Sequence, residues 1–235
     1  MKRIIKKIFL AKPEVDKIPV QGSIGNRIEN IRSIWHNDHQ DDIGIEKILR
    51  LLLALSQFIF PGIYLKHFFG KKGVGYQELS VDFFVLIKVF FPFLLLYTHS
   101  ESNTILYYIQ IWLLLETIFY LATLVFASDI FSKPRSYRRS MLLMFLNYLQ
   151  IVISYGVIYA KGNYLNKPFG HWFDAIYFSL MTSSTVGYGD YYPVNFSGKL
   201  LVCSQVIIFF IVVVMFLNFF SNRVESKGYF DSKQK

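Results

Sequence analysis

Residues 183–192 read SSTVGYGDYY and lie between two long apolar stretches, with Gly187 and Gly189 alternating with Val186 and Tyr188. Glycine alone visits the positive-φ region without steric penalty, so the alternation describes a backbone that changes hand from residue to residue. The plainer alternative is a Gly-rich turn in an outer loop, and GVGY at 73–76 shows how cheaply part of the pattern arises. GVGY lies beside Lys71 and Lys72 with no apolar short helix before it, and it reads as a turn. At 185–190 the six-residue pattern, a preceding short helix and flanking membrane-length runs coincide.

Working outward, 53% of the 235 residues are hydrophobic, 18% are aromatic and only 17% are charged. A typical soluble domain carries about 25% charge, so the balance is that of a membrane protein. The net charge of +9 comes mostly from basic residues flanking apolar segments, the pattern of cytoplasmic anchoring at a bilayer. No nucleic-acid-reading module is recognisable, and nucleic acid is not an expected partner. The single cysteine, Cys203, lies in an apolar run, has no intrachain partner and reads as a small lipid- or helix-facing residue. The N-terminus, MKRIIKKIFLAKP, is basic, but its apolar runs are too short for a signal-peptide core.

A helix needs about 20 mostly apolar residues to span the hydrocarbon. Segments 82–99, 104–127, 140–160 and 199–221 qualify. A fifth, 48–65, is interrupted by Ser56, Gln57 and Pro61-Gly62; it reads as an in-plane or re-entrant helix in preference to a span, with Pro61 kinking or breaking it. The stretch 161–198 is too polar to span and divides into a turret (161–172), a short helix (173–184), the glycine segment and an outer loop. Ile24, Ile28, Ile31 and Trp35 fall on one helical face. The run HNDHQDD from His36 to Asp42 reads as a solvated loop rather than a metal site.

FDAIYFSLMTSSTVGYGDYYP, residues 173–193, resembles the pore-helix-plus-filter segment of the potassium-channel family's two-span module, and TVGYGD resembles its selectivity filter residue by residue. The likeness covers residues 140–222. It implies an all-α membrane protein, a tetrameric pore-loop channel of outer helix, pore helix, filter and inner helix, preceded by two or three additional membrane helices. The family's filter is the type case for K⁺ selection by rings of backbone carbonyls that replace the ion's water shell. By that likeness Thr185, Val186, Gly187, Tyr188 and Gly189 are the K⁺-coordinating filter, with the Thr185 hydroxyl below the carbonyls and Asp190 at the outer mouth. The side chains of Val186 and Tyr188 then point away from the ions into the supporting helix, whose carbonyl end favours a cation. One filter per chain demands three further copies of the chain in a lipid bilayer; auxiliary subunits are not identified. K⁺ ions in the filter are the implied bound species, with no other metal and no organic cofactor.

Four positions depart from the family pattern. Tyr177 and Phe178 stand where many relatives carry filter-bracing tryptophans, and Phe178 has no ring N–H to donate. Met181 stands where some relatives pair a glutamate with the filter aspartate. An ungapped count from the filter puts Phe209 at the hinge-glycine position, and no glycine lies between Gly198 and Gly228, so a glycine hinge is not expected. The same count turns Phe210, Val213, Leu217 and Ser221 toward the lumen. Val213 and Leu217, with Phe210 above, are the candidate gate, closing by dewetting. Asn218 either softens that ring or bonds between helices.

If the filter faces outward, the positive-inside rule is obeyed. Lys133, Arg135, Arg138 and Arg139 precede the outer helix in the cytoplasm, HSESN lies outside without Lys or Arg, and Lys66, Lys71 and Lys72 lie inside. The expected organisation is a cytoplasmic region (1–46), the in-plane, re-entrant or spanning helix (47–69), a two-helix transmembrane region (82–128), the pore domain (139–222) and a short cytoplasmic tail (223–235) too small for a ligand-binding domain. No span repeats Arg or Lys at three-residue spacing, so a voltage sensor is not expected. Lys88 and Glu116 lie within consecutive spans, where each alone costs about 2.5–3.5 kcal/mol. They read as a structural ion pair in preference to a pH or voltage sensor. The expected function is passive K⁺ conduction across the plasma membrane by a multi-pass protein. The alternatives are a weakly selective cation channel and a non-conducting membrane subunit of another channel. No nucleophile–base set stands out, and an enzyme is not expected. The NFS sequon at Asn195 hugs the membrane.

Overall fold

Several helices start where the sequence supplies Gly, Pro or Asn. The computed structural model of the protein describes residues 23–37, 43–127 and 137–221. The N-terminal stretch to residue 22, the HNDHQDD run beyond Asn37, Lys133, Arg135 and the tail 223–235 lie outside the described residues, as do the side chains of Asn218 and Ser221. Among the described residues are eight α-helices: α1 (Ser23–His36), α2 (Ile45–Ser56), α3 (Pro61–Gly70), α4 (Val74–Tyr97), α5 (Thr104–Phe126), α6 (Tyr137–Lys161), α7 (Trp172–Ser183) and α8 (Phe196–Ser221). They contain no β-strand, and the all-α fold class expected from the sequence is borne out. Four of the helices, α4, α5, α6 and α8, are long and apolar enough to cross a membrane.

The boundaries follow local chemistry. Asn103 caps α5, its Oδ1 accepting from the N–H groups of Ile105 (3.0 Å) and Leu106 (3.2 Å). Asn195 caps α8 in the same way, accepting from Gly198 N–H at 2.7 Å, so this helix begins before the expected residue 199. Pro61 occupies the first turn of α3, where its missing N–H costs nothing, and α2 and α3 meet there at a 61° bend. As a pair they match a broken span or a re-entrant loop in length and composition. GVGY is not the turn expected of it. Gly73, at φ 125°, is the cap of α4, and Val74, Gly75 and Tyr76 form its first turn. The polar residues that follow, Gln77, Glu78 and Ser80, lower the hydropathy without breaking the helix, because Gln and Glu are good helix formers.

Helix α6 is the centre of the packing. It lies along α4 on one side and α5 on another, and carries α7 and α8 on its remaining faces. Leu114 and Leu121 of α5, Ile151, Tyr155 and Tyr159 of α6, Phe178 of α7, and Val212 and Met215 of α8 form the main core. Gly156 permits a close approach of α6 to α7: a Cβ there would meet the Ala175 carbonyl oxygen at 3.1 Å. The buried stripe of α1 differs from the one expected. Ile31 and Ile34 pack against Leu51, Ala54 and Ala127, while Ile28 and Trp35 are exposed. The face is rotated because neighbours α2 and α3, rather than the hydrophobic count alone, select which side is covered. At the ends of α4 and α6 away from the glycine segment, Arg139 grips Asp82 with two hydrogen bonds (3.1 and 2.5 Å) and donates to the Glu78 carbonyl at 2.7 Å.

Candidate functional site

The short helix α7 is fixed at its start before it delivers the glycine segment at its end. Asp174 accepts from Gly170 N–H (3.0 Å) and His171 N–H (2.9 Å), and His171 Nδ1 accepts from Phe173 N–H (3.2 Å), a reciprocal N-cap. Trp172 is wedged edge-on against Phe93 and Tyr97 of α4, with ring centres 5.2 and 5.7 Å away. At the other end, the Leu180 carbonyl accepts from Ser184 N–H at 2.9 Å. The Thr182 and Met181 carbonyls accept from Thr185 N–H (3.1 Å) and Val186 N–H (3.0 Å). The helix therefore unwinds directly into residues 185–190.

Backbone hand alternates there as the sequence required. Thr185, Gly187 and Gly189 have φ of 57°, 56° and 82°, while Val186 and Tyr188 between them stay at negative φ. A Cβ placed on either glycine would meet nothing within 4 Å, so these positions need glycine for conformation, not for space. Thr185 is the unforeseen member, since a β-branched residue at positive φ is strained and persists only where its surroundings hold it. Val186 is 49% exposed and Tyr188 71% exposed. Within the chain, then, α7 does not cover the side chains expected to pack into it.

The remaining expected supports are Phe178, Met181 and Tyr177. Phe178 is buried against Tyr159 of α6 (4.8 Å, edge-on), Phe169 and Tyr191, and steadies the strand-like exit from the glycine segment. Met181 contributes its backbone carbonyl to Val186. Tyr177 faces Asp190; partial burial and then the charge and hydrogen bond of that carboxylate raise its phenol pKa. The exit itself is clamped to the turret. Asn166 exchanges two hydrogen bonds with Tyr192 (3.0 and 3.1 Å), Val194 N–H donates to the Tyr164 carbonyl at 3.0 Å, and the Tyr191 hydroxyl donates to Asp174 at 3.2 Å.

On α8 the exposed stripe runs through Ile207, Phe210, Val214 and Leu217. Two of the three candidate gate residues, Phe210 and Leu217, are on it. Val213 is half-buried at its edge, beside buried Val212. Phe209, at the hinge position, packs on Tyr148 of α6 with ring centres 6.2 Å apart, and α8 runs unbroken through it.

Lys88 of α4 and Glu116 of α5 are brought together. Nζ lies 3.7 Å from Oε2 and donates to Thr117 Oγ1 at 2.9 Å, and the two residues are 4% and 7% exposed. The Gly62 N–H, in the first turn of α3, also bonds the Glu116 carboxylate, so three helices meet on this group.

Residues 140–226 match the ion channel family model. A "Two pore potassium channel a" of Oryza sativa subsp. japonica is 36% identical over 95 residues, which is 39% of this chain and 26% of that protein. The chain thus spans about a quarter of the length of the curated relative it matches. No solved structure matches significantly. The potassium-channel resemblance read from residues 173–193 is borne out.

Several contacts around the glycine segment were not foreseen. Asn166, Asp174, Ser179, Ser183 and Gln205 all serve it. Asp174 carried a signal, lying three residues after His171 at a helix start. Gln205 carried another, as a polar residue within the most apolar span.

Proposed function

We propose that four copies of this chain form a potassium-selective channel that conducts K⁺ passively, with residues 185–189 of each copy contributing one quarter of a carbonyl-lined filter. The observation that carries the reading is the sign alternation of φ at Thr185, Gly187 and Gly189, because only such a backbone turns successive carbonyls toward a common axis. Hydrated K⁺ is the cargo, and Asp190 supplies negative charge at the outer mouth. Exposure of Val186 and Tyr188 in one protomer fits a segment covered by neighbouring copies. The plasma membrane is the proposed location, and no catalysis is assigned.

Reconstitution into K⁺-loaded liposomes tests conduction. A valinomycin-independent K⁺ efflux that scales with protein is the expected result, and its absence favours the non-conducting subunit. Opening is assigned to the exposed stripe of α8. Leu217→Ala is expected to raise open probability in single-channel records by removing part of an apolar constriction. An unchanged open probability removes Leu217 from the gate.

A further inference from the structure

The helix that carries the candidate gate also holds the back of the filter, through one amide. Gln205 of α8 is 1% exposed, in the most apolar of the four candidate spans, yet each of its polar atoms is satisfied. Its Nε2 donates to the Ser179 carbonyl (2.9 Å), the Ser179 hydroxyl (2.7 Å) and the Ser183 hydroxyl (2.6 Å). Its Oε1 accepts from the Tyr159 hydroxyl of α6 at 2.9 Å, which fixes the direction of the amide. Ser179 is held in turn, donating to the Val152 carbonyl of α6 at 2.5 Å. Three helices therefore converge on Gln205, and Ser183 is the last residue of α7, two before Thr185.

We infer that Gln205 is a positioning residue for the filter: its amide sets where α7 ends, and hence the strained backbone of Thr185, according to the position of α8. The inference rests on the channel reading above. Buried polar groups in low dielectric are costly to leave unpaired and strong when satisfied. Loss of this amide leaves the Ser179 and Ser183 oxygens without their donor, directly behind the lowest filter position. A displacement of α8 on opening changes the same bonds, so gate and filter share this contact.

The test uses the full chain in bilayers, with Gln205→Leu, which keeps the volume and removes all of the bonds, and Tyr159→Phe, which removes only the bond that aims the amide. Reversal potentials in K⁺, Rb⁺ and Na⁺ and thermal melting are measured on each. Gln205→Leu is expected to lower the K⁺/Na⁺ permeability ratio about tenfold, the scale of one or two lost hydrogen bonds, with Tyr159→Phe shifting it less in the same direction. Should Gln205→Leu fail to assemble, Tyr159→Phe alone carries the test. Wild-type permeability ratios in the variants, whatever their melting temperatures, overturn the inference and reduce Gln205 to a packing residue. A wild type without K⁺ preference instead overturns the channel reading itself, so the two failures are distinguishable.

Discussion

Glu116→Ala is expected to destabilise the fold by about 3–5 kcal/mol, because it leaves the Lys88 ammonium buried without its counter-charge. The magnitude follows from burial: Lys88 is 4% exposed, and its hydrogen bond goes to the neutral Thr117 hydroxyl. A lone lysine at this depth faces hydrocarbon and packed side chains, not water, and costs about 2.5–3.5 kcal/mol even by insertion scales. Glu116 also receives the Gly62 N–H, so the loss loosens α3 at its bend as well as the α4–α5 pair. Lys88→Met combined with Glu116→Leu is expected to recover most of the stability, since apolar replacement of a whole buried pair is often neutral. Thermal unfolding of the purified variants checks this. An unchanged melting temperature for Glu116→Ala alone contradicts the account of the pair. Matching gating shifts from Lys88→Met and Glu116→Gln favour a sensor role over a purely structural one.

Gly187→Ala is the second large effect, and it falls on function rather than on folding. A Cβ at φ 56° costs about 1–2 kcal/mol in each chain. Because nothing lies within 4 Å of the added atom, the cost is conformational rather than steric, and the melting temperature is expected to fall by only a few degrees. The backbone is expected to relax toward negative φ, turning a carbonyl off the axis and lowering the K⁺/Na⁺ permeability ratio by more than about tenfold, the equivalent of some 1.4 kcal/mol. Wild-type selectivity in this variant would mean that positive φ at 187 is not what selects the ion.

The legible and illegible parts of this chain divide by the range of the interactions involved. The glycine segment was legible because its requirement is local: a positive φ every second residue leaves glycine as the residue that meets it freely. Positive φ at Thr185 was not, since a threonine adopts it only when α7 and its surroundings hold it there. The spans were legible to within a few residues except at the start of α4, where hydropathy misread a polar helical turn as a loop. The covered face of α1 depends on where α2 and α3 sit, which no periodicity within α1 contains. Lys88 and Glu116 drew attention because isolated charges in spans are expensive. Gln205, Ser179 and Ser183 are uncharged and distant in sequence, and only the packing of α6, α7 and α8 gives them one purpose.

Reversal potential under a K⁺ gradient, with Na⁺ as the replacing cation, is the direct measure of whether residues 185–190 select K⁺. A K⁺-selective segment gives a reversal that follows the K⁺ gradient at close to 59 mV per tenfold change, the value for a single charge at ~25 °C. A reversal near zero under the same gradient contradicts K⁺ selection and identifies an unselective cation pore.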